Sequence, residues 1–505
     1  MNTRQAGEIL PGFEKGTKSI SNSDEIATLA ATAFLQSCDN GQDGETIFLD
    51  LLFAMAHGDD ENITRPATSI LYHEIIEKLC DDFTPHSAGT ANQVLLYLLT
   101  KIRDTQAGKE LDQILRGIGY PDTAALTSRH HSSLENKLPV PTPPDGPMMA
   151  LIPSRVTVGA DIAITSIIIN RLRTFYPDSE LIIVGPGHIP EIFSNLPNVS
   201  HIPFEIKRGG NLKERFLFWP YLFEKLTRRF ANIPADKILV VDPESRLTQL
   251  GLLPLCDPAR TLLFPSRSLE IPHKNVSLSA ITNHWLDQIL GDKGFQHPSI
   301  NPPASSLGKA AGLCDNLREN GCRKILLVNF GVGRDDRKKL SADFELQLIL
   351  RILKRENTII LLDMGCGSEE KVRAAELVSL AAQQGIVTSR VTDLSISGQD
   401  PMVHGLISVR SSIGDFAALA MQADCYIGYD SCGQHLAAAS NTPTVTIFAG
   451  HPNPRFIDRW TPLTRDKIIK AIPVETDRQL YGPDFKEVIE AACRAVNDFF
   501  EEEHS

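Results

Sequence analysis

Two open α/β domains in tandem, preceded by an all-helical segment, are what this chain of 505 residues predicts, on three observations. Residues 24 to about 130 carry apolar side chains at helical spacing and no strong strand run. A proline-rich stretch over residues 138–147 then breaks the chain. From Met148 onward short apolar runs alternate with helical patterns, the texture of a parallel sheet with right-handed crossovers.

The helical segment reads from Ile26-Leu29-Ala33, Phe48-Leu51-Leu52-Met55, Leu71-Ile75-Ile76-Leu79 and Val94-Leu95-Leu98-Ile102, each spaced to place its apolar residues on one face. No fixed-period repeat of the kind that builds a helical solenoid is present. The prolines that follow cannot continue a helix and favour an extended spacer. The expected division is therefore an all-helical module over 1–137, a linker over 138–147, a first α/β domain over 148–304, a second over 305–480 and a C-terminal helix over 481–505.

In the first α/β domain the expected strands are Met149-Ala150-Leu151-Ile152, residues 180–185, 237–242 and 261–264, with a helix from about Ile162 to Tyr176. Residues 298–306 are again rich in Pro and Ser. The second set of runs covers residues 324–329, 358–363, 385–387, 425–429 and 444–448. Open parallel sheets bind ligands beyond the carboxyl ends of their strands, so a cleft between the two domains is the expected site.

Composition narrows the function. With 42% hydrophobic residues and a formal net charge of −12, the chain does not suit a protein that coats a nucleic acid, and any phosphate site must be built locally. The 9 cysteines include no C-x-x-C pair, which fits reduced thiols rather than zinc or disulfides. No segment has the length of a signal-peptide core or of a membrane span. A cytoplasmic protein is expected.

The motifs that carry chemistry sit where strands end. Asp430-Ser431-Cys432-Gly433-Gln434-His435-Leu436-Ala437-Ala438-Ala439, between two apolar runs, reads as a tight turn opening a small-residue helix. Such a helix start offers free N–H groups and a positive dipole end to a phosphate, and Ser431 adds a hydroxyl. Asp430 as a plain cap and His435 as a core histidine are the bland alternative. Phe330-Gly331-Val332-Gly333, followed by Arg334, Arg337, Lys338 and Lys339, gives a second strand end where backbone and cations could meet a diphosphate. At the third, Asp363-Met364-Gly365-Cys366-Gly367-Ser368-Glu369-Glu370, a carboxylate could bond a ribose, or act as an ordinary first-turn acid. In the first α/β domain Asp161 follows a strand end and is either a base facing the cleft or an N-cap.

Together these pieces resemble glycosyltransferase family 9, the ADP-heptose:lipopolysaccharide heptosyltransferase-like enzymes of the GT-B fold. The resemblance runs from about Met148 to the C-terminus. It rests on Ala160-Asp161, Tyr176-Pro177 and Leu196-Pro197-Asn198-Val199, on Lys338 or Lys339, and above all on the signature D-[ST]-G-x-x-H-x-A-A-A, matched by Asp430, Ser431, His435, Ala437, Ala438 and Ala439 with Pro443, Phe448 and Gly450 beyond. Ala160 stands where the family has Gly, Cys432 at the signature Gly, and Leu340-Ser341 in place of Trp-Pro.

The resemblance implies two Rossmann-like domains facing a cleft. It implies an inverting, metal-independent transfer of a heptose or related sugar from a nucleotide-diphosphate sugar such as ADP-heptose. No cofactor and no metal are implied, and the acceptor is a glycan, lipid-linked glycan or protein hydroxyl of surface-glycan or lipopolysaccharide synthesis. Asp161 is then the base and Lys338 the leaving-group stabiliser. Gly331, Lys339, Gly365, Glu369, Glu370, Asp430, Ser431, Cys432, Gly433 and His435 bind the nucleotide sugar, and the C-terminal helix crosses back to the acceptor domain. Two rivals are a non-catalytic scaffold that binds a partner through the helical module and a sugar-nucleotide epimerase. A lipid acceptor would favour a lip such as Lys207-Arg208-Gly209-Gly210-Asn211-Leu212-Lys213 with Arg215-Phe216-Leu217-Phe218-Trp219, and association with the inner face of the membrane; a buried amphipathic helix is the alternative.

Overall fold

The computed structural model describes residues 1–14, 22–39, 45–135, 140–143, 145–207, 209–256, 260–271, 276–333, 335–394, 402–474 and 485–502. Arg208, Arg334, Pro139, Pro144, Pro483 and Asp484, all part of the sequence reading, lie outside these residues. The described parts are a helical N-terminal segment followed by two parallel sheets, the mixed α/β architecture expected.

The N-terminal helices include Ser23–Asp39, Thr46–His57, Glu61–Ile70 and Pro85–Arg103. Three of these four start on a recognisable signal. Asp24 and Glu25 occupy the first turn of Ser23–Asp39, Asp60 caps Glu61–Ile70 by accepting from Asn62 N, and Thr84 caps Pro85–Arg103 through Ser87 N. A wide π-type turn, Leu71–Glu77, interrupts the third expected helix.

Five strands form the first sheet: β1 (Met149–Pro153), β2 (Glu180–Gly185), β3 (Val199–Pro203), β4 (Ile238–Asp242) and β5 (Thr261–Leu263), in the order β3-β2-β1-β4-β5. Seven form the second: β6 (Lys324–Asn329), β7 (Thr358–Asp363), β8 (Thr388–Thr392), β9 (Gly405–Arg410), β10 (Cys425–Tyr429), β11 (Thr444–Phe448) and β12 (Ile469–Pro473), in the order β12-β11-β10-β6-β7-β9-β8. Every pairing in the second sheet is parallel. Its order reverses between β10 and β6, where Gly428 lies opposite Asn329. That switch point puts the ends of β6 and β10 side by side, the place where open sheets take ligands.

Differences from the sequence expectations have physical reasons. The run 385–387 is not a strand; the chain pairs from Thr388 instead, as an outer strand whose polar Thr-Ser-Arg-Val-Thr face gives no apolar run. β3 and β12 are edge strands with mixed burial and went unread for the same reason. The helix expected from Ile162 begins earlier, running through Val158–Ala160, Asp161–Thr165 and Ser166–Phe175, so Asp161 is inside it and is not its N-cap.

Contact clustering divides the chain into two units. One comprises residues 1–154, 184–186 and 202–270; the other comprises 155–183, 187–201 and 271–505. This cuts across the expected boundaries because the helical core is not self-contained. Leu51, Leu98 and Leu115 share one apolar cluster with Leu212, Phe216, Trp219, Leu252 and Leu253. In the second unit the helix Phe485–Glu502 buries Ala492, Val496, Phe499 and Phe500 in the same core as β6, β7, β10 and β11. Its apolar face packs into the core of the second sheet. Among the described residues no helix is long and apolar enough to cross a membrane.

Candidate functional site at the switch point

The signature turn begins at the end of β10. Ser431 is the N-cap of the helix Cys432–Ala439, in extended backbone, and its hydroxyl accepts from Gly433 N at 3.4 Å. Position 433 has to be glycine because a Cβ there would stand 2.4 Å from the buried Tyr426 hydroxyl. The first N–H groups of the helix have no partner within it, and the Ser431 hydroxyl takes that of Gly433.

Asp430 does not face solvent as a ligand would. Its Oδ2 is ion-paired with Lys338 Nζ and its Oδ1 accepts from Gln434 Nε2. The carboxylate thus brings the lysine of the β6 loop to the start of the β10 helix, with Lys338 Nζ 5.1 Å from the Phe456 ring centroid. The lysine loop is fixed from below. Tyr429 Oη accepts from Leu340 N at 3.1 Å and donates to Glu345, a fully buried carboxylate that Arg373 grips with its Nε and Nη2. Burial pushes the Glu345 carboxyl up, against the pull of Arg373 and Tyr429. Lys339 takes Asp336 at 2.6 Å and lines a small pocket with Gly331, Gly365 and Glu370.

Glu370 joins the other two loops. Its Oε1 accepts from Gly333 N at 3.1 Å, and its Oε2 accepts from Cys366 N and Gly367 N, both at 3.0 Å. All these donors are backbone, so the side chain holds the loops after β6 and β7 in one geometry. Glu369 is exposed. Beneath the loops Asp363, whose carboxyl burial pushes up, accepts from Asn329 Nδ2 at 2.7 Å, from Gly365 N at 3.1 Å and from Ser411. The Cys432 thiol is pushed up to about 12, by burial first and then by Cys366, Asp363 and Glu370. The starts of these loops therefore converge on one place.

Asp161 belongs to the same unit. A Cβ at Gly159 would lie 2.8 Å from His435 Cδ2 and 3.5 Å from Cys432 Cα, so the turn ahead of Asp161 rests on the start of the signature helix. His435 is buried against this turn and stands edge-on to Trp460 at 5.8 Å. Burial lowers its imidazole to about 4, which leaves it neutral at neutral pH. Asp161 itself is 0% exposed. Its Oδ1 accepts from Arg155 N at 2.7 Å and Thr165 Oγ1 at 2.9 Å, and its Oδ2 lies 3.0 Å from His188 Nε2.

Sequence reasoning missed Asn329, Ser411 and His188. The first two are ordinary polar residues at strand ends. His188 is separated from Asp161 by 27 positions and has no motif around it.

The candidate membrane lip is occupied. Lys207 pairs with Glu214 at 2.7 Å, Lys213 with Asp59 at 3.0 Å, and Arg215 lies 3.9 Å over the Tyr72 ring, while Phe216 and Trp219 are fully buried. The buried-helix alternative holds for the described part of this segment.

One family model and several solved structures are similar to this chain. The family model described as glycosyltransferase family 9 (heptosyltransferase) matches residues 399–477. A glycosyl transferase family 9 structure from Veillonella parvula DSM 2008 is 14% identical, with 70% of this chain and 97% of that one covered and a TM-score of 0.48. The E. coli ADP-heptose lps heptosyltransferase II is 16% identical, with 71% and 100% covered and a TM-score of 0.46. E. coli heptosyltransferase WaaC with ADP is 16% identical, with 70% and 99% covered and a TM-score of 0.46. No curated protein matches the chain in sequence. Over residues 399–477, which carry Asp430, Ser431 and His435, the chain is similar to the heptosyltransferase family that its sequence resembles.

Proposed function

We propose that this chain is an inverting glycosyltransferase that moves a heptose or related sugar from a nucleotide-diphosphate sugar to an acceptor hydroxyl, without a metal, in surface-glycan or lipopolysaccharide assembly at the cytoplasmic side of the membrane. The observation that supports it most is the meeting of Lys338 with the start of the Ser431-capped helix, beside the turn that leads into Asp161.

In this reading the diphosphate lies over the N–H groups of Cys432 and Gly433 and the Ser431 hydroxyl, with Lys338 and Lys339 at its oxygens. The acceptor oxygen attacks the anomeric carbon from the face opposite the phosphate, and the C–O bond to the nucleotide breaks with its electron pair going to the leaving diphosphate. Each well-aimed donor at that growing charge contributes about 3 kcal/mol to the barrier reduction. Proton removal from the acceptor falls to the base that the Asp161 carboxylate supplies or positions. Gly331, Gly365 and Glu370 shape the floor on the ribose side, with Glu370 acting through the loop backbone it holds.

Calorimetry of the full chain with ADP, UDP, GDP and CMP, with and without EDTA, tests this. ADP and ADP-heptose are the first probes because the matching family is a heptosyltransferase family. Binding of one nucleoside diphosphate unaffected by EDTA, and release of that diphosphate from its sugar in the presence of an envelope-glycan extract, is the expected result. Binding without release from any sugar would point to a scaffold, release with an epimerised free sugar to an epimerase, and no binding would overturn the donor site.

A further inference from the structure

In this geometry neither carboxylate oxygen of Asp161 is open to a substrate. Its carboxylate is 0% exposed, Oδ1 holds the Arg155 N–H and the Thr165 hydroxyl, and Oδ2 faces His188 Nε2 at 3.0 Å. The imidazole in front of it is different. The His188 side chain is 11% exposed, and among the described residues the contact with Asp161 is its one hydrogen bond. An ionised Asp161 accepts only, so Nε2 carries the hydrogen and Nδ1 keeps a lone pair that no described residue uses.

His188 is also held in place from its other side. It precedes the short helix Ile189–Ile192, and Glu191 Oε2 accepts from Gly414 N at 2.9 Å, at the start of the helix Ile413–Gln422. It comes just after the carboxyl end of β2 at Gly185, and Asp161 lies in the first turns of the helix that follows β1, so both stand at the ligand-facing side of a parallel sheet.

We infer that His188 is the general base of the proposed transfer, and that Asp161 is the positioning residue that fixes its tautomer and supports its charge. The inference rests on the transferase reading above. As the acceptor O–H bond breaks, its electron pair goes into the new bond to the anomeric carbon and its proton goes to His188 Nδ1. The imidazolium that results keeps its Nε2–H on the Asp161 carboxylate. The diphosphate leaves with the electron pair of the old glycosidic bond, so charge balances with no further reactant.

The test uses the full chain with ADP-heptose as donor and an envelope-glycan extract as acceptor, reading ADP release and sugar incorporation. His188→Gln keeps a hydrogen-bonding side chain that cannot take up a proton; kcat is expected to fall at least about 100-fold while ADP affinity stays within about twofold. In His188→Gly, added imidazole is expected to restore turnover, which a merely structural histidine would not allow. Long-range proton–nitrogen spectra should show the Nε2–H tautomer in the wild type and its loss in Asp161→Ala. Wild-type turnover with His188→Gln within threefold of it overturns the base assignment alone. A wild-type chain that binds ADP but turns over no donor overturns the transferase reading, and the base role with it.

Discussion

At the scale of single residues three described loop cations are already partnered. Lys338 is paired with Asp430, Lys339 with Asp336 and Arg337 with Asp335. A diphosphate must exchange with these carboxylates, so its affinity should change little with salt; a steep fall between 50 and 500 mM salt in calorimetry would contradict the pairing. Replacing both Lys338 and Lys339 by Ala should weaken nucleoside diphosphate binding about tenfold, or roughly 1.4 kcal/mol. His435 adds a pH effect. Its folded value of about 4 lies below the ordinary 6.5, so the unfolded chain takes the proton first. The stability it contributes is complete above pH 6.5 and is lost as pH falls from there through 4, by about 3 kcal/mol at most. Melting curves of His435→Gln should be flatter over that window. The signature residues were legible because their spacing is local. Glu370 was read as a ribose ligand or a first-turn acid and is found on three backbone amides; Cys366 and Gly367 belong to its own capping turn, whose spacing is local, while the Gly333 donor comes from another loop 37 positions away and no sequence pattern marks it.

The elements around the site owe their positions to a few polar ties. Glu345 links the helix Ala342–Ile352 to Arg373 on the helix Ser368–Gln383 and to Tyr429 at the end of β10. Glu370 joins the loops after β6 and β7. Glu370→Ala should speed hydrogen exchange at Gly333, Cys366 and Gly367 and lower ADP affinity, with Glu370→Gln closer to wild type because its amide oxygen still accepts; unchanged exchange at these amides would dismiss the clamp. Gly433→Ala should destabilise the chain by about 1–3 kcal/mol through the Tyr426 clash, seen as a lower melting temperature and partly relieved by Tyr426→Phe. Central strands such as β6, β7 and β10 were legible because they are buried along their whole length. β3, β8 and β12 were not, since an edge strand alternates or stays polar and resembles a loop in sequence.

At the scale of the whole molecule the proline-rich stretch suggested a module hung on a spacer, and the packing shows something else. Leu212, Phe216, Trp219 and Leu253 share their apolar cluster with the N-terminal helices, and Trp219 Nε1 also donates to Pro254 O at 2.6 Å. Polar contacts follow the same route: Arg246 meets Glu77, Gln249 meets Tyr72, and Arg129 donates to Gly251 O at 2.8 Å. A chain lacking residues 1–135 would expose this surface and should elute as aggregate in size-exclusion chromatography; a monodisperse product would show the helices to be dispensable. The segment after β4 is thus as much a part of the helical module as of the sheet it leaves. In a recombined protein the two would have to travel as a single heritable block. Substitutions in Leu71–Glu77 should then be tolerated only when matched by changes at 246–253, so that the sheet's own loop and the helices can vary only together.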